Sequence, residues 1–209
     1  MDSYLRCYLF LLCSVLALPA AAGPYVSVGM GVENAAIEVD TFNRRGDQTI
    51  ASSQTDTTLA LALRLGWAWE RQRLGLTGRM LPYDNAVLSL VGVSYERQFG
   101  HGSLQPFVGA TVGVAGFTWL DDTSVEGFPD PALVRGEYVF DAAVGLRVGG
   151  RQRLTDRLSL EVGLKGVATD LETDIGIKHP TANGPVNGGR LSHSVRGFLI
   201  YELGFSYRF

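Results

Sequence analysis

Three groups of residues in this chain of 209 have the types that do chemistry. Ser192-His193-Ser194 sets an imidazole between two hydroxyls, the material of nucleophilic hydrolysis. Asp121-Asp122, followed by Glu126 and Asp130, gathers oxygens of the kind that hard cations take. Five acids (Glu33, Glu96, Asp141, Glu161, Glu202) and five bases (Arg64, Arg79, Arg147, Lys165, Arg208) interrupt otherwise apolar or small-residue runs, where they could line an ion path or close into a fixed network. The first two groups weaken on inspection. Adjacent residues of a strand point to opposite faces, so His193 is badly placed to activate either serine, and no orienting acid is apparent. The acidic run has no calcium-loop spacing and reads as a solvated loop. His101 and His179 read as solvated turn and loop residues. Asn34, Asn43 and Asn183 open no convincing glycosylation sequon, and no helix follows the Gly29/Gly31 pair to make an anion-binding nucleotide loop. No catalytic centre, cofactor or metal is expected. Eighteen Lys and Arg against 21 Asp and Glu give a net charge of −3, which leaves no basic footprint for nucleic acid.

The elements that carry the ten charges repeat every two residues. In Leu59-Ala-Leu-Ala-Leu-Arg-Leu-Gly-Trp-Ala-Trp69 each odd position is large and apolar and each even one is Ala, Arg or Gly. A helix would spread those leucines around its cylinder, whereas a strand puts them on one face. The alternation recurs around 26–33, 74–80, 91–96, 108–114, 138–148, 158–165 and 201–209, so eight segments are predicted. Links at 70–73, 100–105 and 150–156 are short. Links at 34–57, 120–136 and 170–194 are long, and Pro82-Tyr-Asp-Asn85 is a short exception. The result predicts an all-β fold: an eight-stranded antiparallel transmembrane β-barrel, an up-and-down meander with short periplasmic turns and longer extracellular loops. A soluble sandwich would carry more charge on its second face. Here that face is small and glycine-rich with one or two charges per strand, which suits a narrow, filled interior. The charges are therefore expected to pair across the lumen, with Arg64, Arg79, Glu33 and Glu202 at similar depth.

Residues 1–22 read as a cleaved signal peptide. An apolar core, Cys7 to Leu18, follows Arg6; Pro19 breaks it; Ala20-Ala21-Ala22 offers small residues for cleavage. Both cysteines would leave with it, which removes disulfide and thiol chemistry. Residues 23–209 form the barrel domain. With the mature N-terminus in the periplasm, Trp67, Trp69, Phe99, Tyr207 and Phe209, with Tyr25 and Phe107, fall at one end as an interfacial belt, and Tyr138 and Phe140 at the other. Phe117 and Trp119 share the inward parity of Gly109 and Gly113, which calls for a bulge or a position above the lipid.

Gln105-Pro-Phe-Val-Gly-Ala-Thr-Val-Gly-Val-Ala-Gly116, Val144-Gly-Leu-Arg-Val148 and Arg153-Leu-Thr-Asp-Arg-Leu-Ser-Leu-Glu-Val-Gly163 resemble strands and a periplasmic turn of the small Gram-negative outer-membrane barrels. This is the superfamily of OmpA transmembrane domains, OmpX/Ail-like proteins and Opa-type opacity proteins, and the resemblance covers residues 24–209. It implies a monomeric protein of the bacterial outer membrane. Its partners would be membrane lipid, lipopolysaccharide and the barrel assembly machinery, with a host surface ligand for the adhesins. The ending Leu203-Gly-Phe-Ser-Tyr-Arg-Phe209 resembles the terminal assembly signal, with Phe205, Tyr207 and Phe209 as its rings. The function implied is non-enzymatic: loops presented for adhesion or host interaction, or support of the envelope. The alternatives are a small pore or transport route for small solutes or apolar molecules and, third, a lipid-A-modifying enzyme, whose His-x-Ser-Asn pattern is absent here.

Overall fold

The computed structural model describes residues 23–43, 45, 47–83, 86–119, 138–179 and 186–209. The expected signal peptide (1–22) and the acidic run (121–130) lie outside them. Eight strands follow one another: β1 (Gly23–Phe42), β2 (Gln48–Trp69), β3 (Gln72–Pro82), β4 (Ala86–Gln98), β5 (Leu104–Trp119), β6 (Tyr138–Arg153), β7 (Leu158–His179) and β8 (Val186–Arg208). Each pairs antiparallel with the next, and β8 returns to β1 from Tyr25↔Arg208 to Phe42↔Arg190, so the sheet is a closed barrel. Closure gives every strand a partner on both sides from the turn end up to the pairs Leu61↔Met80 and Ala143↔Thr169, the condition for a sheet to stand in hydrocarbon; beyond them β2 and β7 are the edges of a β7-β8-β1-β2 extension.

The period-two pattern sets the facing. Leu59, Leu61, Leu63 and Leu65 point outward and are about half exposed or more, while Ala60, Ala62 and Arg64 between them are buried inside. Val28, Met30 and Val32 on β1 and Tyr201, Leu203 and Phe205 on β8 continue an outer apolar band around the wall. On β1 the band ends at Val32, beyond which Ala36 and Glu38 are exposed; on β8 it ends at Leu199, beyond which Arg196 is exposed. The end with the tight connections at Glu70–Arg71, Phe99–Ser103 and Leu154–Arg157 is the turn end; the other is the loop end. Glu70 and Gly100 take positive φ (39° and 81°) to make two of those reversals.

Three expectations need correction. The links at 34–57 and 170–194 are largely strand. β1 and β2 stay paired out to Phe42↔Gln48, and β7 and β8 out to His179↔Val186. The ladder runs on past the apolar band because neighbouring strands keep satisfying its backbone groups, but both faces turn polar there and the alternation fades. Tyr25 and Phe107 do not join the aromatic belt; they are buried inside the barrel. Glycines on facing strands admit them: a Cβ on Gly75 would lie 2.7 Å from the Tyr25 hydroxyl, and one on Gly149 2.6 Å from the Phe107 ring. Phe117 needs neither a bulge nor a place above lipid. It is buried inside, on a regular register with Leu88 and Val139.

Candidate functional site

The lumen divides into two layers. Toward the turn end, β2, β3, β4, β6, β7 and β8 each send charges inward. Glu161 receives four arginines: Arg64 at 3.2 Å, Arg73 at 2.8 Å, Arg147 at 3.1 Å and Arg151 at 2.9 Å. Glu202 pairs with Arg64, Arg79 and Arg147, and Glu96 with Arg147 and Arg151. All three carboxylates are buried. Buried charges survive only where partners and hydrogen bonds replace their lost hydration, and each guanidinium here bridges or faces carboxylates from other strands. The inward rings join in: the Arg73 guanidinium lies 4.8 Å over Tyr25, and that of Arg147 4.3 Å over Phe107.

Of the ten charges singled out in the sequence, six meet in this cluster: Arg64, Arg79, Glu96, Arg147, Glu161 and Glu202. Lys165 is buried beside it, but no carboxylate among the described residues comes within 4.0 Å of its ammonium. Glu33 stands apart at the upper margin, where it accepts a 2.9 Å hydrogen bond from the Tyr83 hydroxyl. Asp141 is half-buried and accepts the Asp170 backbone N–H at 3.0 Å, and Arg208 lies half-buried at the turn-end mouth. Arg73 and Arg151, both bound to Glu161, lie in stretches that the alternation assigns to turns. Both share inward parity with residues already assigned, Arg79 and Arg147, and the alternation reaches Arg73 when extended by one residue and Arg151 when extended by three.

Toward the loop end the lumen is apolar. Leu81, Leu88, Leu90, Phe117, Leu171, Phe198 and Ile200 are among a cluster to which all eight strands contribute. It lies across the interior at the level where the outer band ends. Above it, the extended β7, β8, β1 and β2 carry polar side chains. His193 is buried there, paired in register with Val39 and Thr173. Its desolvation pushes the imidazole down to about 4. Neither flanking serine turns to it: the Ser194 hydroxyl donates to Glu38 at 3.3 Å, and that of Ser192 to Glu172 at 3.5 Å. Phe205 on β8 and Phe209 just past its end are exposed and Tyr207 is half-buried, its ring 5.0 Å from that of Phe209.

A closed barrel with an apolar outer band and a filled lumen is the architecture of integral outer-membrane barrels, and solved structures of that class share this fold. The chain aligns over 92% of its length with 99% of the outer-membrane protease OmpT from Escherichia coli (TM-score 0.60, 7% identity). It aligns over 90% with 97% of the outer-membrane protein OprG from Pseudomonas aeruginosa (TM-score 0.56, 16% identity). Neisserial surface protein A is matched over 90% of this chain and 99% of that one (TM-score 0.53, 12% identity). No protein-family model matches the chain, and no curated protein is similar to it in sequence. The chain has the fold of the outer-membrane barrels, the one its strands resemble in sequence; at these identities the likeness speaks for architecture alone.

Proposed function

We propose that the chain is an integral, monomeric barrel of a bacterial outer membrane that presents its loop-end extension to the exterior and acts by binding rather than by catalysis. The observation that carries this reading is the pairing of an apolar outer band with strands that run on past it as polar sheet. The band asks for lipid, since leaving that much large apolar side chain in water is unfavourable. The polar extension, with Glu38, Glu172, Asp174, Arg190 and Arg196 exposed, suits a surface in contact with lipopolysaccharide headgroups or a ligand on another cell. Adhesion or host interaction is its fuller version and envelope support its minimal one. Residues 1–22 would export the chain. The outward rings of Phe205, Tyr207 and Phe209 on the closing strand would be read by the assembly machinery. The separation of His193 from both neighbouring serines supports a non-enzymatic role. The apolar layer across the lumen favours a binder over a pore, because a dry constriction opposes ion passage.

The test is to shorten the extension without touching the barrel. Joining Ile37 to Gln54, partners in the β1–β2 register, through Asn-Gly keeps the hairpin closed. A non-adherent Gram-negative host producing the full chain should gain adherence to host cells, and the shortened chain, equally abundant at the surface, should not. A membrane-impermeant maleimide should label Ala36→Cys on intact cells. Adherence equal in both chains would leave envelope support, and absence of labelling would overturn the surface placement.

A further inference from the structure

The ionic layer does not balance. Among the described residues its buried cations are Arg64, Arg73, Arg79, Arg147, Arg151 and Lys165, six against the four buried carboxylates Glu33, Glu96, Glu161 and Glu202, an excess of two positive charges. Glu33 reaches none of these cations within 4.0 Å, so the local imbalance is larger. The excess gathers at one place. A cavity large enough for a water-sized guest is bordered by four cations, Lys165, Arg79, Arg64 and Arg147, against two carboxylates, Glu96 and Glu202. Two of its arginines carry donors that face no acceptor, Arg79 at Nε and Nη1 and Arg147 at Nε, and Arg73 Nε and Arg151 Nη1 are likewise unpartnered toward the turn-end mouth. The Arg79 side chain is only 1% exposed, so bulk solvent cannot serve it.

Buried unpaired cations are costly, and a protein relieves the cost by shedding a proton or by taking up a counter-charge. A lysine can shed its proton but an arginine does not, and the five buried arginines against Glu96, Glu161 and Glu202 keep an excess of two positive charges whatever Lys165 does. The geometry points to the second course: we infer that the cavity beside Lys165 and Arg79 binds a small inorganic anion of chloride size as a resident counter-ion. An anion would enter from the turn end. The hollow at that mouth has Arg73, Arg151, Arg153, Arg157 and Arg208 in its lining against Glu70 and Asp156, a field that concentrates anions. The apolar layer closes the other side, so the site is a blind pocket of the turn-end half rather than a station on a through path. Polyatomic anions of gluconate size do not fit it.

The experiment uses the full-length barrel refolded in detergent, with unfolding followed by heat-modifiable gel mobility. Chloride is exchanged for gluconate at constant ionic strength, which holds general screening fixed. The expected result is a midpoint that is flat at low chloride and then rises with its logarithm, roughly 3–5 °C for each tenfold once the site begins to fill. Lys165→Gln should lose most of that rise while retaining the barrel's gel shift. Crystals grown in bromide should show an anomalous peak next to Arg79. Equal midpoints in chloride and gluconate would overturn the inference, as would a Lys165→Gln chain that keeps the full chloride response. Should that variant fail to assemble, the wild-type halide comparison and the position of bromide decide by themselves.

Discussion

The two halves of the lumen solve one problem in opposite ways. Both must fill a narrow cylinder with inward side chains. Toward the turn end this is done with charge: three carboxylates from β4, β7 and β8 knit five arginines from β2, β3 and β6. Toward the loop end it is done with carbon, by residues such as Leu88, Phe117 and Ile200. An ion-paired core is bought with desolvation and gains from every partner it adds, so its members stand or fall together. An apolar core needs no partner geometry and excludes water, so its members contribute more independently. The charged half therefore governs whether the inside holds together, and the apolar half governs whether anything passes.

Removing one hub should separate the two halves most sharply. Glu161→Gln leaves four arginines short of a carboxylate and should cost about 3–5 kcal/mol of barrel stability, read as a lowered urea midpoint in lipid. A second change, Arg151→Met, should restore part of it, because it withdraws one of the stranded charges. Strictly additive losses would mean that the layer is not a network. The opposite half gives the complementary result. Phe117→Ala should cost about 3 kcal/mol and, unlike Glu161→Gln, should raise ion conductance in a planar bilayer by opening the dry constriction. Conductance rising in Glu161→Gln and staying flat in Phe117→Ala would reverse the assignment. A smaller effect tests the wall that both halves share. Leu63→Arg, on the outer face near mid-band, should cost about 2 kcal/mol or more in bilayers, against little for the inward Ala62→Ser.

The same division explains what the sequence could disclose. In the turn-end half, small or charged residues inside alternate with large apolar ones outside, so strand number, facing and most of the charged cluster follow from period two. In the loop-end half both faces are apolar. Leu88 and Leu90 share the inward parity of Gly92, and Phe198 and Ile200 that of Glu202, yet each sits next to outward apolar residues and the alternation loses contrast. Period two is therefore legible only from 91 on β4 and 201 on β8, and it does not disclose the apolar layer. Farther out the faces become polar together, and the strand extensions past Asn34 and Asp170 looked like loops. Tyr25 and Phe107 were drawn to the membrane interface by residue type although their parity, shared with Ser27 and Gly109, pointed inward. Partner choice within the cluster depends on barrel stagger, which alternation along single strands does not encode.

His193 extends the comparison to the polar sheet above the apolar layer, and its effect should be the smallest and most local. It sits above the outer band, buried between β1 and β7. The charged groups nearest in register are Glu38, Asp40, Glu172 and Asp174, and all four are engaged elsewhere: Glu38 by Ser194, Glu172 by Ser192, Asp40 by Gln48 and Asp174 by Arg190. Burial lowers its imidazole from 6.5 to about 4. Above pH 6.5 the ring is neutral whether the extension is closed or opened, so it contributes nothing to pH dependence. Below pH 6.5 the opened form takes up a proton that the closed form refuses. Stability therefore falls as pH drops, and the loss is complete near pH 4. Amide exchange in lipid nanodiscs, corrected for the intrinsic rate, should accelerate between pH 7 and pH 5 in 36–42, 170–174 and 190–196. Exchange in 62–66 and 200–206, which flank the ionic layer, should not. His193→Gln should abolish the difference. Equal acceleration at both ends, or an unchanged profile in His193→Gln, would mean that acid acts on the barrel as a whole. The extension would then not open as a separate unit from the two filled layers beneath it.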